Sequence, residues 1–128
     1  MRTLEQEYAE SVYKKVVAFG EKHPKEDAGR NQYGSMAHKL PILIRTAGLA
    51  EALAFVESRG KDAHKSLLDD LAVVISENSR DDLLRRSREP GLQNYMYLTR
   101  RTMLALKWFK RFAQSILEVD ATAEGEVS

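Results

Sequence analysis

Cysteine is absent from the 128 residues. This excludes disulfides and thiolate metal sites, and it suits a cytoplasmic protein. Long apolar runs are also missing. No segment approaches the roughly 18 apolar residues that a membrane span requires. The opening "MRTLEQEYAESVYKK" is charged and amphipathic and lacks the apolar stretch of a secretory signal. Strand-type alternation is missing too. There is no P-loop, no GxGxxG and no GxSxG motif. Without these there is little to support an enzyme, and no catalytic residue is assigned. Sites assembled from distant residues stay open.

The residues that are present describe a soluble globular chain, 43% hydrophobic and 30% charged. The length fits one domain, which can bury roughly two thirds of the surface of its unfolded form. The net charge of +1 conceals a segregated pattern. Residues 1–28 carry five basic and six acidic groups, and 29–61 carry five and two. Residues 62–82 carry two basic and six acidic groups, 83–112 eight and one, and 113–128 none and four. Alternating fields of this kind suit contact with a polyanion on one side and protein on another, and they also suit any solvated helical protein.

Helical periods dominate. Thr3 caps a first helix to about Gly20, with Leu4, Tyr8, Val12, Val16 and Phe19 along one side. "GEKHPKEDAG" reads as a loop. A second helix starts near Gly29 or Arg30, and Pro41 is expected to kink it or split it at Leu40. Gly48 is a candidate left-handed cap, and a third helix follows to about Arg59. Asp62 is placed to cap a fourth helix that buries Leu67, Leu68, Leu71, Val74 and Ile75. Ser79 caps a short helix over 81–87, which "REPG" ends. The last helix spans about Leu92–Leu117. The expectation is an all-α, single-domain compact bundle of five to seven helices over residues 1–118. Residues 119–128 form an acidic, frayed or disordered tail.

Three histidines, His23, His38 and His64, fall in no paired metal-ligand spacing. Asp69–Asp70 and Asp81–Asp82 are adjacent, so on a helix each pair diverges by about 100°. No metal and no cofactor is assigned.

The basic residues say more. On a helical wheel Arg100, Lys107 and Arg111 fall within an arc of roughly 40°. Tyr95, Leu98, Ala105, Leu106, Phe109, Phe112, Ala113 and Ile116 cluster opposite, with Trp108 and Lys110 on the two edges. Glu89 is the only acid between residues 83 and 112, so this ridge lacks local partners. Such spacing suits phosphates, while a solvated outer face would also be charged. In the second helix Arg30, Gly34, His38, Pro41 and Arg45 share a side away from Tyr33, Leu40 and Ile44. That side either admits an anion close to the backbone, or reflects tight packing at Gly34 and a bend at Pro41.

The stretch "QYGSMAHKLPILIRTAGLAEALAFVESRG" resembles the signature region of the small-subunit family of the Cmr complex, the type III-B CRISPR RNA-silencing effector. The resemblance lies in Tyr33-Gly34, Leu40-Pro41, Gly48-Leu49 and Ala54-Phe55. A second block, "YLTRRTMLALKWFKRFA", is similar in Tyr97-Leu98, Trp108, Lys110-Arg111 and Ala113. It covers about residues 3–115; the segment 76–90 and the chain after Leu117 carry no recognisable motif. The resemblance implies an all-helical, non-catalytic subunit whose copies stack into a short filament beside the subunits that hold the CRISPR RNA. Cleavage and cyclic-nucleotide synthesis would belong to other subunits. The implied partners are guide RNA, target RNA, other Cmr subunits and further copies of itself, with no membrane and no small-molecule substrate. The expected RNA-contacting residues are Arg30, Lys39 and Arg45, facing outward on the second helix, and Arg100, Lys107, Lys110 and Arg111 of the last helix. The alternative is a helical protein–protein adaptor that does not touch RNA. A small metal-dependent hydrolase using His38, His64 and the Asp pairs is a third reading.

Overall fold

The computed structural model describes residues 1–121 except Pro90. The expectations for Pro90 in "REPG", and for the tail over 122–128, lie outside the described residues. Six helices are described: α1 (Leu4–Lys22), α2 (Ala28–Ala47), α3 (Leu49–Ser58), α4 (Asp62–Val74), α5 (Arg80–Ser87) and α6 (Leu92–Ser115). No strand lies among the described residues.

Local chemistry sets most of the ends. Thr3 and Gln6 form a reciprocal capping box at α1. The Gln6 amide donates to Thr3 Oγ1 at 3.1 Å and the Thr3 amide to Gln6 Oε1 at 2.9 Å. Asp27 caps α2 by accepting from the Gly29 amide at 2.9 Å, so α2 begins slightly before the predicted start. Ser79 Oγ accepts from the Asp82 amide at 3.1 Å and starts α5, as expected. Asp62 is not a cap. Lys61 holds that position, and Asp62 is the first helical residue, where its charge still favours the positive helix end.

Pro41 neither splits nor ends α2, which stays helical to Ala47. The proline removes one backbone hydrogen bond. Packing on several sides outweighs that loss, because α2 is the central element and lies against α3, α4 and α6. Tyr33, Gly34, Ser35, Met36, Ala37, His38, Leu40, Pro41 and Ile44 are all buried in it. Each fully buried aliphatic side chain contributes roughly 1.5–3 kcal/mol. The core face of α1 is Tyr8, Val12, Val16 and Phe19 as expected, whereas Leu4 is exposed.

Contacts between helices give their directions. Tyr8 meets Arg101, Tyr13 meets Phe112, and Gly20 lies by Leu117, so α1 and α6 run parallel. Arg30 reaches Ile116 and Leu117 while Gly48 lies by Tyr95, so α2 runs antiparallel to α6. Phe19 stacks on both His23 and Tyr33, with centroids 3.9 Å apart in each pair. The buried Tyr33 hydroxyl donates to Asp70 on α4 at 2.7 Å, which ties three helices together. Burial pushes both groups upward: Tyr33 well above its ordinary value, and Asp70 above the usual carboxylate value.

A single residue, Gly48, joins α2 to α3 with φ 91°. A Cβ there would lie 3.2 Å from Tyr95 Oη. That hydroxyl takes the place of a side-chain cap for α3, accepting from the Leu49 amide at 2.8 Å and the Ala50 amide at 3.3 Å. Tyr95→Phe is therefore expected to lower stability by about 1 kcal/mol in urea unfolding, with helical content retained. A variant as stable as the parent would show that solvent caps α3 equally well.

Candidate nucleic-acid interface

The structure separates the seven predicted cations. Four of them converge. Arg45 on α2 and Lys107, Lys110 and Arg111 on α6 line one open cleft of about 560 Å³, together with Pro41, Met103, Gln114 and Ser115. The antiparallel crossing produces this grouping. Arg45 sits in the last turn of α2, and Lys107, Lys110 and Arg111 lie in the second half of α6. Arg45, Lys110 and Arg111 are exposed and have no ion pair among the described residues. Lys107 pairs with Glu5 of α1 and lies over the Trp108 ring at 5.5 Å. Both partners are about half exposed, so this pair holds Lys107 weakly.

Arg30 corrects the expectation of an outward-facing cation. Its guanidinium donates to four backbone carbonyls: Leu117 at 3.0 Å, His23 at 2.8 Å, Gly20 at 3.3 Å and Ile116 at 3.3 Å. Carbonyls at the C-terminal end of a helix run short of helical partners, and Arg30 supplies donors to those of α1 and α6, adding to the His23 amide at Gly20. The Gly34–His38 face is likewise covered rather than open. A Cβ on Gly34 would fall 2.6 Å from the Val119 side chain. His38 Nε2 meets the Val119 carbonyl at 2.9 Å, so that nitrogen carries the proton. Val119 stands first in the stretch expected to fray, and the structure instead buries it.

Arg100 is exposed nearer the start of α6, beside Tyr95, Met96 and Thr99, and does not line the cleft. Lys39 belongs to a third place, with Arg59 and Lys61 around His64. The expected shortage of acids around 83–112 is also partly corrected, because other segments supply them. Arg86 pairs with the buried Glu77 at 2.8 Å, and Arg85 with Asp82 and Glu89. Arg101 donates to Tyr8 Oη and to the Ile75 carbonyl. The sequence patterns do not single out Arg59, Lys61, Met103, Gln114 or Ser115. Gln114 is legible in principle, lying three and four residues beyond Arg111 and Lys110 on the same helical side.

No group of three or more metal-binding side chains lies together among the described residues. His64 is fully buried near the Gln32 backbone, and neither ring nitrogen meets a partner at full hydrogen-bond geometry. Burial first, then Arg59, Lys61 and Lys39, lowers its pKa to about 4. The cleft itself offers cations, and none of its lining residues is aromatic. It can hold anionic oxygens in sequence and is not built to read bases. No described helix is long and apolar enough to cross a membrane.

The fold and the cleft define a small all-α domain that presents a cationic groove between two antiparallel helices. Comparison with known proteins places it further. The model of a family of CRISPR-associated proteins, Cas_Cmr5, matches residues 4–116. The CRISPR system Cmr subunit Cmr5 of Thermus thermophilus is 47% identical over 118 residues, spanning 92% of this chain and 99% of that protein. The crystal structure of a CRISPR-associated Cmr5 family protein from the same species superposes with a TM-score of 0.81 at 46% identity. That superposition spans 91% of this chain and 98% of the other. The chain belongs to the Cmr5 family.

The environment of His64 generates a pH dependence. A folded pKa of about 4 against 6.5 means that the unfolded chain takes up this proton first as pH falls. His64 thus contributes stability fully above pH 6.5, and the contribution is lost as pH drops toward 4. The loss is on the order of 3 kcal/mol at ~1.4 kcal/mol per pKa unit. His64→Leu is expected to flatten that part of the stability–pH curve measured by urea unfolding. An unchanged slope would mean that His64 is not held neutral.

Proposed function

We propose that this chain is the non-catalytic small subunit of a type III-B Cmr effector complex, and that its α2–α6 cleft binds RNA phosphates without reading bases. The observation that carries the RNA contact is the convergence of Arg45, Lys110 and Arg111, from two helices, with no acidic partner among the described residues. Membership of the Cmr5 family, and a relative described as a Cmr subunit, support the assignment to the complex. In this reading copies stack beside the subunits that hold the guide, in the cytoplasm. The guide supplies sequence specificity by pairing with target RNA, and this chain neutralises backbone charge. Lys107 joins once phosphate displaces Glu5. Arg30 stays structural, and Lys39 and Arg100 lie outside the cleft.

One observation favours a second reading, a protein adaptor that does not touch RNA. Leu92, Met96 and Tyr97, in the first half of α6, are 73%, 49% and 57% exposed, with Met96 beside Arg100 and Arg101 over the Tyr97 ring. Such an apolar edge suits a protein partner or another copy. Association that survives nuclease in variants lacking the cleft cations would favour it.

The free chain is expected to bind single-stranded RNA weakly and without sequence preference. For three or four neutralised phosphates, the slope of log affinity against log salt is about −2 to −3. Reversing Arg45, Lys110 and Arg111 to Glu is expected to abolish this binding while circular dichroism stays helical. Affinity that is flat with salt, or binding retained by the triple variant, would show that the cleft is not the RNA contact.

A further inference from the structure

The seam between α1 and α6 carries an aromatic row that the core does not enclose. Trp108 and Phe112, one turn apart on α6, have ring centroids 5.6 Å apart. Phe112 meets Tyr13 of α1 edge to face, with centroids 5.5 Å apart and ring planes at 81°. Trp108 and Phe112 are half-buried, whereas Tyr13 is 48% exposed. The core side of α1 is already filled by Tyr8, Val12, Val16 and Phe19, so Tyr13 is not needed there. Tyr13 and Phe112 line an open groove of about 540 Å³, with Ala9, Gln6 and Arg2 further towards the start of α1.

The row adjoins the cations of the cleft. On α6 each of these aromatics follows a basic residue, as Lys107–Trp108 and Arg111–Phe112. A cationic and an aromatic stripe therefore run side by side, about 100° apart around the helix, each with a step of about 6 Å. Lys107 lies over the Trp108 ring at 5.5 Å. Arg2, at the other end of the groove, is exposed and has no ion pair among the described residues. Glu10, the acid of the groove, is matched by Lys14 at 3.6 Å.

This combination selects among occupants. An apolar peptide would leave the cations unanswered. A nucleic-acid duplex answers them but keeps its bases stacked inside itself. A single strand offers phosphates and free ring faces together, and stacking of bases on aromatic side chains tolerates any sequence because every base has a π-face. The nearly perpendicular Tyr13 and Phe112 rings form a corner in which a flat base can lie on one face and against one edge.

We propose that the Tyr13–Phe112 corner is a stacking platform for bases of single-stranded RNA whose phosphates lie on Lys107 and Arg111 of the adjoining cleft. The platform rests on the phosphate-binding role proposed above. It adds a preference for unpaired strands and none for sequence.

The test compares three RNA probes of equal length at low salt by fluorescence anisotropy: an unstructured single strand, the same ribose–phosphate strand without bases, and a blunt duplex. The parent chain is expected to bind the intact strand about five- to tenfold more tightly than the abasic one. Tyr13→Leu is expected to bring the intact strand down to the abasic level while leaving the abasic strand and the duplex unchanged. Tyr13→Phe, which keeps the ring, should bind as the parent does. Equal affinity of the parent for intact and abasic strands, or a Tyr13→Leu chain that weakens all three probes alike, would overturn the platform and leave the phosphate contact standing. Binding of no probe by the parent would overturn the cleft reading and the platform with it. Without any substitution, iodouridine in the single strand is expected to photocross-link to Tyr13 or Phe112, mapped by mass spectrometry. Cross-links confined to other residues would overturn the platform.

Discussion

The arrangement depends on one guanidinium. Arg30 sits near the start of α2 and gathers backbone carbonyls from the ends of both α1 and α6. Hydrogen bonds from a charged donor are roughly twice as strong as neutral ones, and a planar guanidinium has five donors in fixed directions. By tying both helix ends to one point on α2, Arg30 sets the register of α2 against α6. With that register Arg45, about four turns along α2, lines the same cleft as Lys107, Lys110 and Arg111 of α6. The cleft thus follows from a contact at the opposite end of the same helix.

The electrostatics of the cleft result from which charges the fold neutralises. Of the eight basic residues in 83–112, the fold gives acidic partners to Arg85, Arg86 and Lys107. It directs Arg88 and Arg101 to backbone carbonyls. What stays unmatched among the described residues is Arg100, Lys110 and Arg111, and the last two meet Arg45 across the cleft. Like charges gathered on one open surface repel one another, by a few tenths of a kcal/mol for each close helical pair. A polyanion laid along the cleft relieves that repulsion, which makes the grouping costly alone and favourable when occupied.

Helix number, fold class and most of the core are legible in the sequence, because amphipathic period and caps are local properties. Thr3 and Ser79 cap their helices as expected, and Leu67, Leu68, Leu71, Val74 and Ile75 are all buried. The helical wheel fails where a helix is enclosed on several sides. For α2 it identifies the Arg30–Gly34–His38–Arg45 side correctly as one stripe. It cannot show that the chain after α6 returns to cover the first half of that stripe and leaves the second half open. The wheel also puts Lys110 on an edge and Arg100 on the ridge. The position of α2 decides which of them lines the cleft: Lys110 does and Arg100 does not. Pairing across the fold, as between Lys107 and Glu5, is invisible to any local reading of charge.

The most direct measurement is an NMR titration of the labelled full-length chain with a short oligouridylate at low salt. If the cleft is the RNA surface, the largest shifts centre on Arg45, Lys110 and Arg111, with Lys107 following as Glu5 is displaced. Shifts centred on Lys39, Arg59 and Lys61, or on Met96 and Arg100, would contradict that assignment, as would no shifts at RNA concentrations that saturate binding.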